Sequence, residues 1–399
     1  HCGTDLGILR TKAEPLADGS YAITGTKIFI SAGEHDLSEN IIHLVLARLP
    51  DAPGGTKGIS LFVVPKFIPD ANGNPGERNT VKCGSIEHKM GIHGNATCVI
   101  NLDGAKGWMV GEPNKGLNAM FVMMNAARLG VGMQSLGLTE VAYQNSAAYA
   151  KERLQMRSLS GPKAPEKPAD PIIVHPDVRR MLLAQKAYVE GALGLNLYCA
   201  KLVDEERGET DPAKRAKLGL LLDILTPIAK SWPSQWCLEA NSLAIQVHGG
   251  YGYTREYNVE QFYRDNRLNP IHEGTHGIQG LDLLGRKVVM QDGAAFAALG
   301  ERVQATVGRA LETDDETLVG YGRALGMATQ KLAKVTQTLW AAGDPRVTLA
   351  NASVYLEAFG HVVVAWIWLQ QALAAAKALP NAQGDDADFY RGKLQAARY

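Results

Sequence analysis

A chain of 399 residues exceeds what one hydrophobic core usually supports, so two or three domains are expected. Hydrophobic residues make up 46% and charged ones 21%, the profile of an ordinary globular protein. The 41 basic residues equal the 41 acidic ones, which removes any overall electrostatic pull toward nucleic acid or an anionic membrane and leaves room only for a local basic groove.

Residues 6–110 carry β signals. TKIFIS (26–31), IIHLVLA (41–47) and GISLFVVP (58–65) are rich in β-branched and aromatic residues, and turn formers such as Ala17-Asp18-Gly19 and Pro53-Gly54-Gly55 separate them. Strands at this spacing predict a compact barrel or sandwich, with DANGNPGER (70–78) as a polar loop. After Gly116 the pattern becomes helical, and residues 117–154 hold apolar positions at helical spacing with no proline. The charged, proline-rich run GPKAPEKPADP (161–171) ends that helix. Helical periodicity resumes over 177–206 and 213–247, where Pro227 and Pro233 predict a break or kink. Beyond Gly293 the chain is alanine-rich, with helices expected at 294–311, 315–342 and 346–379, a break at Asp344-Pro345, and a polar loop over 381–388. The expected fold class is α+β: a β-barrel or sandwich domain (1–110), an antiparallel helical bundle (111–292) and an extra C-terminal helical region (293–399).

Cys2, Cys83, Cys98, Cys199 and Cys237 are odd in number, scattered and without C-x-x-C spacing, so neither a disulfide framework nor a zinc site is expected. His43, His88 and His93 show no metal-ligand spacing either, and a reducing cytoplasm is the expected compartment. No apolar run approaches the roughly 20 residues of a membrane span. The first residues, HCGTDLG, lack a basic and an apolar signal region and an initiating methionine, so the chain reads as a fragment whose natural N-terminus lies upstream. Trp232 and Trp236, four apart, are expected to pack on one helix face, and Lys201, Lys214, Lys217 and Lys230 to lie on solvated faces.

The chemistry concentrates in QVHGGYGYTREYNVEQFYRDNRLNPIHEGTHGIQ (246–279). His248-Gly249-Gly250-Tyr251-Gly252-Tyr253 is a glycine-dense loop after a helix; it could expose backbone donors to a phosphate or cofactor, or simply end the helix in a tight turn. Glu273, beside Gly274 and Thr275, reads from the local pattern first as part of a helix-capping motif and otherwise as a base near that helix's N-terminus.

QVHGGYGYTREY, FYRDNR and IHEGTHGIQ, in this order and spacing, resemble the signature of the acyl-CoA dehydrogenases. CGTD (2–5) resembles the end of that family's TEP-x-x-G-[ST]-D motif, GTKIFISAG (25–33) its flavin-contacting strand, and KMGIHGNAT (89–97) its K-[ML]-G-x-x-G-x-x-T motif. Arg128 and Arg153 stand where two family arginines are expected on the long helix. The proline-rich insertion, HPDVRRM (175–181) and the helical extension are most similar to the branch that holds 3-methylmercaptopropionyl-CoA dehydrogenases and large bacterial fatty acyl-CoA dehydrogenases.

The resemblance implies FAD-dependent oxidation of an acyl-CoA to its trans-2-enoyl-CoA, with electrons passed to an electron-transfer flavoprotein. It assigns Glu273 as the base that removes the α-proton, with Gly274 letting substrate approach. It assigns Phe29, Ile30 and Ser31 to the flavin ring, in place of a Trp-Ile-Thr, and Thr4 to the pyrophosphate or pantetheine. Gln246, Gly249, Gly250 and Arg153 are expected to meet the adenosine half of FAD across a subunit interface, with Thr275 and Gly277 on the adenine side. Arg128 is expected to face CoA phosphate, as a guanidinium suits that geometry, with a helix-surface salt bridge as its bland alternative. A homodimer or dimer of dimers follows. Two departures stand out: His175-Pro176 follows the insertion where the family carries a glutamine, and Gly280 stands where many members have arginine. The family's N-terminal helical domain is missing from this chain. The rival readings are an acyl-CoA oxidase that uses dioxygen and an AidB-like flavoprotein that binds nucleic acid. Against the latter, residues 294–379 mix acidic and basic residues without a dense basic stripe.

Overall fold

The computed structural model describes residues 3–399. These form two compact units, one up to residue 126 and one from 127 onward.

The first unit contains β1 (Lys12–Pro15), β2 (Tyr21–Ser31), β3 (Ile42–Ala47), β4 (Ser60–Pro65), β5 (Phe67–Pro69), β6 (Pro75–Arg78), β7 (Val81–Ile86) and β8 (Thr97–Val110). The main sheet runs β1-β2-β8-β4-β3, antiparallel throughout, and β7 pairs with β8 as well. Its two ends meet. Ala13 N–H donates to Arg48 O (2.9 Å) and Arg48 N–H to Thr11 O (2.9 Å), which joins β1 to the segment after β3 and closes a barrel. Alternate residues Cys98, Ile100 and Leu102 of β8 point into this barrel with Ile23, Val45, Phe62 and Val64. The expected strands at 26–31, 41–47 and 58–65 fall in β2, β3 and β4. The stretch 70–78, expected as a loop, contains β6, which pairs with β5 in a hairpin. Every residue of β6 is exposed, so no alternation marked it, and the Asp70 carboxylate turns the hairpin by accepting from Asn72 N–H (2.8 Å) and Asn74 N–H (2.9 Å).

Helices α1 (Gly116–Glu152), α2 (Pro176–Gly208), α3 (Pro212–His248), α4 (Val259–Asn266), α5 (His276–Asp282), α6 (Ala294–Leu311), α7 (Glu316–Ala341), α8 (Pro345–Thr348), α9 (Ala352–Ala378) and α10 (Gly384–Arg398) make up the rest. Asp-Pro and Asp-Glu steps set several starts: Asp211, Asp315 and Asp344 each accept a bond from a backbone N–H in the first turn of α3, α7 and α8. Leu195, Ile224, Leu225, Ile228 and Trp232 of α2 and α3 share one core with Leu299, Val303, Leu325, Phe359 and Ile367 of α6, α7 and α9.

Four local expectations need correction. Pro227 and Pro233 do not break α3. Pro233 has no N–H for the Ala229 carbonyl one turn back, yet Ile228, Ala229 and Trp232 are buried, and this packing holds the helix where its own ladder is interrupted. Residues 346–379 are two helices, with Leu349 to Asn351 between them, and Thr348 Oγ1 anchors the break by donating to Leu339 O (2.8 Å). The expected loop at 381–388 holds the start of α10, because Asp385 and Asp386 are polar for the reason that a helix N-terminus favours carboxylates. Against the expectation of no span-length run, α9 is long and apolar enough to cross a membrane by length and composition. Here Leu356, Phe359, Val363, Ile367 and Leu369 bury in the core, and Trp366 and Trp368 indoles donate to Thr306 Oγ1 (2.9 Å) and Ala187 O (3.0 Å).

The run 153–171 folds around one carboxylate. Asp170, fully buried, accepts from the N–H groups of Ser158 (2.8 Å), Lys163 (2.9 Å) and Ala164 (2.8 Å) and from Arg157 (3.2 Å). Burial pushes its pKa up, but these bonds outweigh burial and hold it well below the usual range.

Gly132 of α1 lies against α3 so closely that a Cβ there would sit 2.1 Å from Ala229 O, the carbonyl that Pro233 leaves without its helical partner. Gly132→Ala is expected to destabilise the protein by about 1–3 kcal/mol through overpacking. A denaturant midpoint equal to wild type would show that α1 and α3 separate freely.

Candidate active site

In the β unit, the pairing of β2 with β8 slips between Lys27 and Ile30. The slip places Phe29 at φ 57° and Ala32 at φ 52°, a left-handed conformation that costs a bulky residue of order 1–3 kcal/mol. Phe29 is 65% exposed and Ser31 is exposed, whereas Ile30 packs on the barrel core. Such a bulge re-aims side chains, and here it turns an aromatic ring outward. The loop 89–97 is tied to this strand: Ala32 N–H donates to Asn95 Oδ1 (3.0 Å), and Lys89 Nζ donates to Asn95 O and Thr97 Oγ1 (2.8 Å). Two motifs far apart in sequence thus share one edge. Gly3, Phe29 and Ile30 line a cavity of about 270 Å³, with Thr4 exposed next to Gly3. Cys2, the first residue of the CGTD motif, lies outside the described residues.

In the helical unit, Glu273 sits in the turn before α5. The cap of α5 is Thr275, whose Oγ1 accepts from Ile278 N–H (3.3 Å), so Glu273 is not the capping group. Its backbone is left-handed (φ 52°), followed by Gly274 at φ 88°. A Cβ on Gly274 would lie 2.4 Å from Gln279 Nε2, which is buried and donates to Glu273 O (3.1 Å). Glu273 Oε2 is buried and has no hydrogen-bond partner among the described residues. An unsatisfied buried acceptor costs about 1–3 kcal/mol, and a carboxylate more.

Beneath this turn lies a residue that the sequence placed on a solvated face. Lys230 is fully buried, and its ammonium donates to Asn269 O (2.8 Å) and Gly274 O (2.7 Å). Burial lowers its pKa to about 8, against the pull of the Glu273 carboxylate and together with the repulsion of Arg128. A lysine was read as surface because lysines usually are. The available signal was its setting in LTPIAKSWPSQW, an otherwise uncharged stretch that holds Leu225, Ile228, Ala229, Trp232 and Trp236.

Buried amides continue the network. Asn269 Nδ2 donates to Asn266 Oδ1 (2.9 Å), Asn266 Nδ2 donates to Thr139 Oγ1 (3.2 Å) and to Asn241 Oδ1, and His272 Nε2 bonds Asn269 Oδ1 (2.9 Å). The turn is thereby pinned to α1, α3 and α4. None of these amides was singled out in the sequence. Arg128 is buried rather than on a helix surface, and its Nη1 lies 3.5 Å from Asp282 Oδ2.

A third group forms an open concavity of about 530 Å³ at the C-terminal end of α3, lined by Arg153, Gly249, Gly250, Tyr149 and His248 among others. Gly249 takes φ 61° where the helix ends, and the Arg153 guanidinium lies 5.5 Å from the Tyr251 ring centre. Tyr149 and His248 stack at 4.4 Å. Gln246 is exposed one turn earlier, while Thr275 and Gly277 lie at the start of α5, beside Glu273.

Three family descriptions match this chain: acyl-CoA dehydrogenase middle domain over residues 1–105, acyl-CoA dehydrogenase C-terminal domain over 114–288, and acetyl-CoA dehydrogenase C-terminal like over 299–399. The 3-methylmercaptopropionyl-CoA dehydrogenase of Ruegeria pomeroyi is 42% identical, covering 99% of this chain and 66% of that protein. The broad-specificity linear acyl-CoA dehydrogenase FadE5 of Mycobacterium tuberculosis is 38% identical, covering 100% and 67%. Among solved structures, Caenorhabditis elegans ACDH-11 in complex with C11-CoA matches with a TM-score of 0.82 at 22% identity, over 99% of this chain and 62% of that one. The chain belongs to the acyl-CoA dehydrogenase family, whose cofactor is FAD. It spans about two thirds of the length of the curated relatives it matches.

His272 follows from its surroundings. Burial, and then the charge of Lys230, lower its pKa to about 4, so the ring is neutral at pH 7. The unfolded chain takes up this proton near pH 6.5, so the stability His272 contributes is present above pH 6.5 and lost as pH falls toward 4. Wild type is expected to lose more stability than His272→Gln between pH 7 and 4.5. A His272 ring resonance that titrates near 6.5 would contradict this environment.

Proposed function

We propose that the protein containing this chain is an FAD-dependent acyl-CoA dehydrogenase that oxidises an acyl-CoA thioester to the trans-2-enoyl-CoA. The observation that carries the reading is the Glu273 carboxylate, held on a strained turn with one oxygen buried and unpartnered. A base that must take a carbon-bound proton is best left without a competing donor, and nothing in the turn supplies one to Oε2.

The residues fit a flavin dinucleotide. Arg153 offers a guanidinium to a pyrophosphate, Gly249 and Gly250 leave backbone open beside it, and Phe29 and Ser31 present a ring and a hydroxyl from the bulge of β2. Thr4 and Ile30 support the same end, and Gln246, Thr275 and Gly277 the adenosine end. When bound, FAD accepts the hydride that leaves the β-carbon. Glu273 takes the α-proton, and Gly274, without a side chain, lets the thioester approach the backbone. Donors placed at the developing enolate oxygen are worth a few kcal/mol in such sites. Arg128 favours the CoA end electrostatically, and its pairing with Asp282 fixes its position.

In this reading electrons pass to an electron-transfer flavoprotein, and the open concavity at Arg153 is completed by a second copy in a homodimer or dimer of dimers. The acyl group is a linear or methylthio-substituted chain, the kinds named for the two relatives. Residues 1–110, 111–292 and 293–399 serve as flavin barrel, base-bearing bundle and supporting extension.

Glu273→Gln in the full-length protein is expected to leave FAD bound and to slow anaerobic flavin bleaching by acyl-CoA by at least roughly 10³-fold, as loss of a catalytic base does. A panel from butyryl-CoA to 3-methylmercaptopropionyl-CoA tests substrate choice at the same time. Bleaching near the wild-type rate would remove Glu273 from the role of base.

A further inference from the structure

We infer that Lys230 is the positioning residue of this site: its buried ammonium fixes the turn that aims Glu273. The inference rests on the dehydrogenase reading for its effect on rate, and on geometry alone for the clamp.

The geometry is a single cation held by the two ends of one turn. Asn269 O and Gly274 O, which flank Glu273 in sequence, both accept from Lys230 Nζ, at 2.8 and 2.7 Å. Lys230 is carried by α3, in the middle of a continuously buried stretch, so the ammonium cannot follow the turn if the turn moves. A charge with no solvent exposure must be satisfied by its surroundings, and two peptide carbonyls are an expensive way to do it unless their placement matters. The turn also needs holding. Glu273 at φ 52° is in a conformation that a glutamate leaves readily, and Gly274 at φ 88° places no side-chain restraint of its own. Gln279 supplies a second strut to Glu273 O at 3.1 Å, from within α5. Asn269, gripped by the ammonium through its carbonyl, is gripped through its side chain by Asn266 and His272. The clamp therefore connects the base to the buried stretch of α3 and to the amide network.

Charge adds to position. The Glu273 carboxylate and the Lys230 ammonium are close enough to influence each other, and Arg128 opposes the same ammonium. A fixed positive charge beneath the base is where an enolate would benefit from it, and it needs no reorganisation as negative charge develops.

The test compares full-length, FAD-loaded wild type with Lys230→Met, which keeps chain length and apolar bulk but removes donors and charge, and with Lys230→Arg, which keeps both. Hydrogen exchange is measured at residues 269–275 and across α3 and α9, alongside anaerobic flavin reduction by a saturating acyl-CoA. In Lys230→Met, exchange at 269–275 is expected to rise at least tenfold with α3 and α9 unchanged. The limiting reduction rate is expected to fall roughly 10²-fold with little change in KM, the scale of a misplaced catalytic group. Lys230→Arg is expected to recover part of both. If Lys230→Met yields no folded protein, Lys230→Gln replaces it with the same readouts. Unchanged exchange at 269–275, or protection lost equally in α3 and α9, overturns the proposal, as does failure of both uncharged variants to fold. If wild type shows no acyl-CoA-dependent reduction, the dehydrogenase reading fails, while the exchange measurement still decides the clamp.

Discussion

The bond on which the helical unit turns is that of a buried ammonium to two peptide carbonyls. Lys230 gives up hydration completely, and the compensation is local: Asn269 O and Gly274 O at hydrogen-bond distance and the carboxylate of Glu273 nearby. Each participant constrains the others. The carbonyls converge only if the turn is closed, the closed turn requires left-handed backbone at Glu273 and Gly274, and that backbone leaves Thr275 to cap α5. The cap of α5 thus falls to Thr275 and leaves the Glu273 carboxylate free of that task.

Much of the architecture is legible in the chain because it rests on periodicity. Strands β2, β3 and β4 carry β-branched and aromatic runs, and the long helices carry apolar spacing over many turns. What was hidden depends on tertiary context. The hairpin strand β6 has no buried face, so it left no pattern. The two prolines in α3 are individually strong breakers, but a helix buried on nearly every side is held by packing rather than by its hydrogen-bond ladder. The start of α10 looked like a loop because helix N-termini and loops favour the same residues.

The site divides in the same way. Glu273 and the glycine pair stand in compact motifs, and Arg153 on the long helix, where the resemblance to the acyl-CoA dehydrogenases assigns them roles that their local pattern leaves open. Lys230, Asn241, Asn266 and Asn269 come from separate elements and mean nothing until folded together. A lysine or asparagine is an exposed residue on base rates, and only the uncharged run around Lys230 argued otherwise. The geometry also altered one reading: Arg128 is buried and ion-paired within the bundle. Thr275 and Gly277 lie at the start of α5, beside Glu273.

The arrangement carries identifiable costs that the remaining helices offset. The left-handed glutamate opposes folding by of order 1–3 kcal/mol, and its unpartnered carboxylate oxygen by more. Strain of this kind persists only where the surroundings over-determine it. In the helical unit that surplus comes from one contiguous core, in which Phe359, Val363 and Ile367 of α9 meet Leu195 of α2 and Ile228 and Trp232 of α3, the helix that also carries Lys230. Trp232 lies two residues beyond Lys230, and Tyr188 and His361 pack edge-on against its ring. The C-terminal helices therefore act on the site in two ways: α9 meets α5 directly, with Glu357 3.5 Å from His276, and by immobilising α3 the helices immobilise the ammonium, and through the ammonium the turn. Loosening α9 would relax the turn that holds Glu273 from two sides, through α3 and its ammonium and through α5.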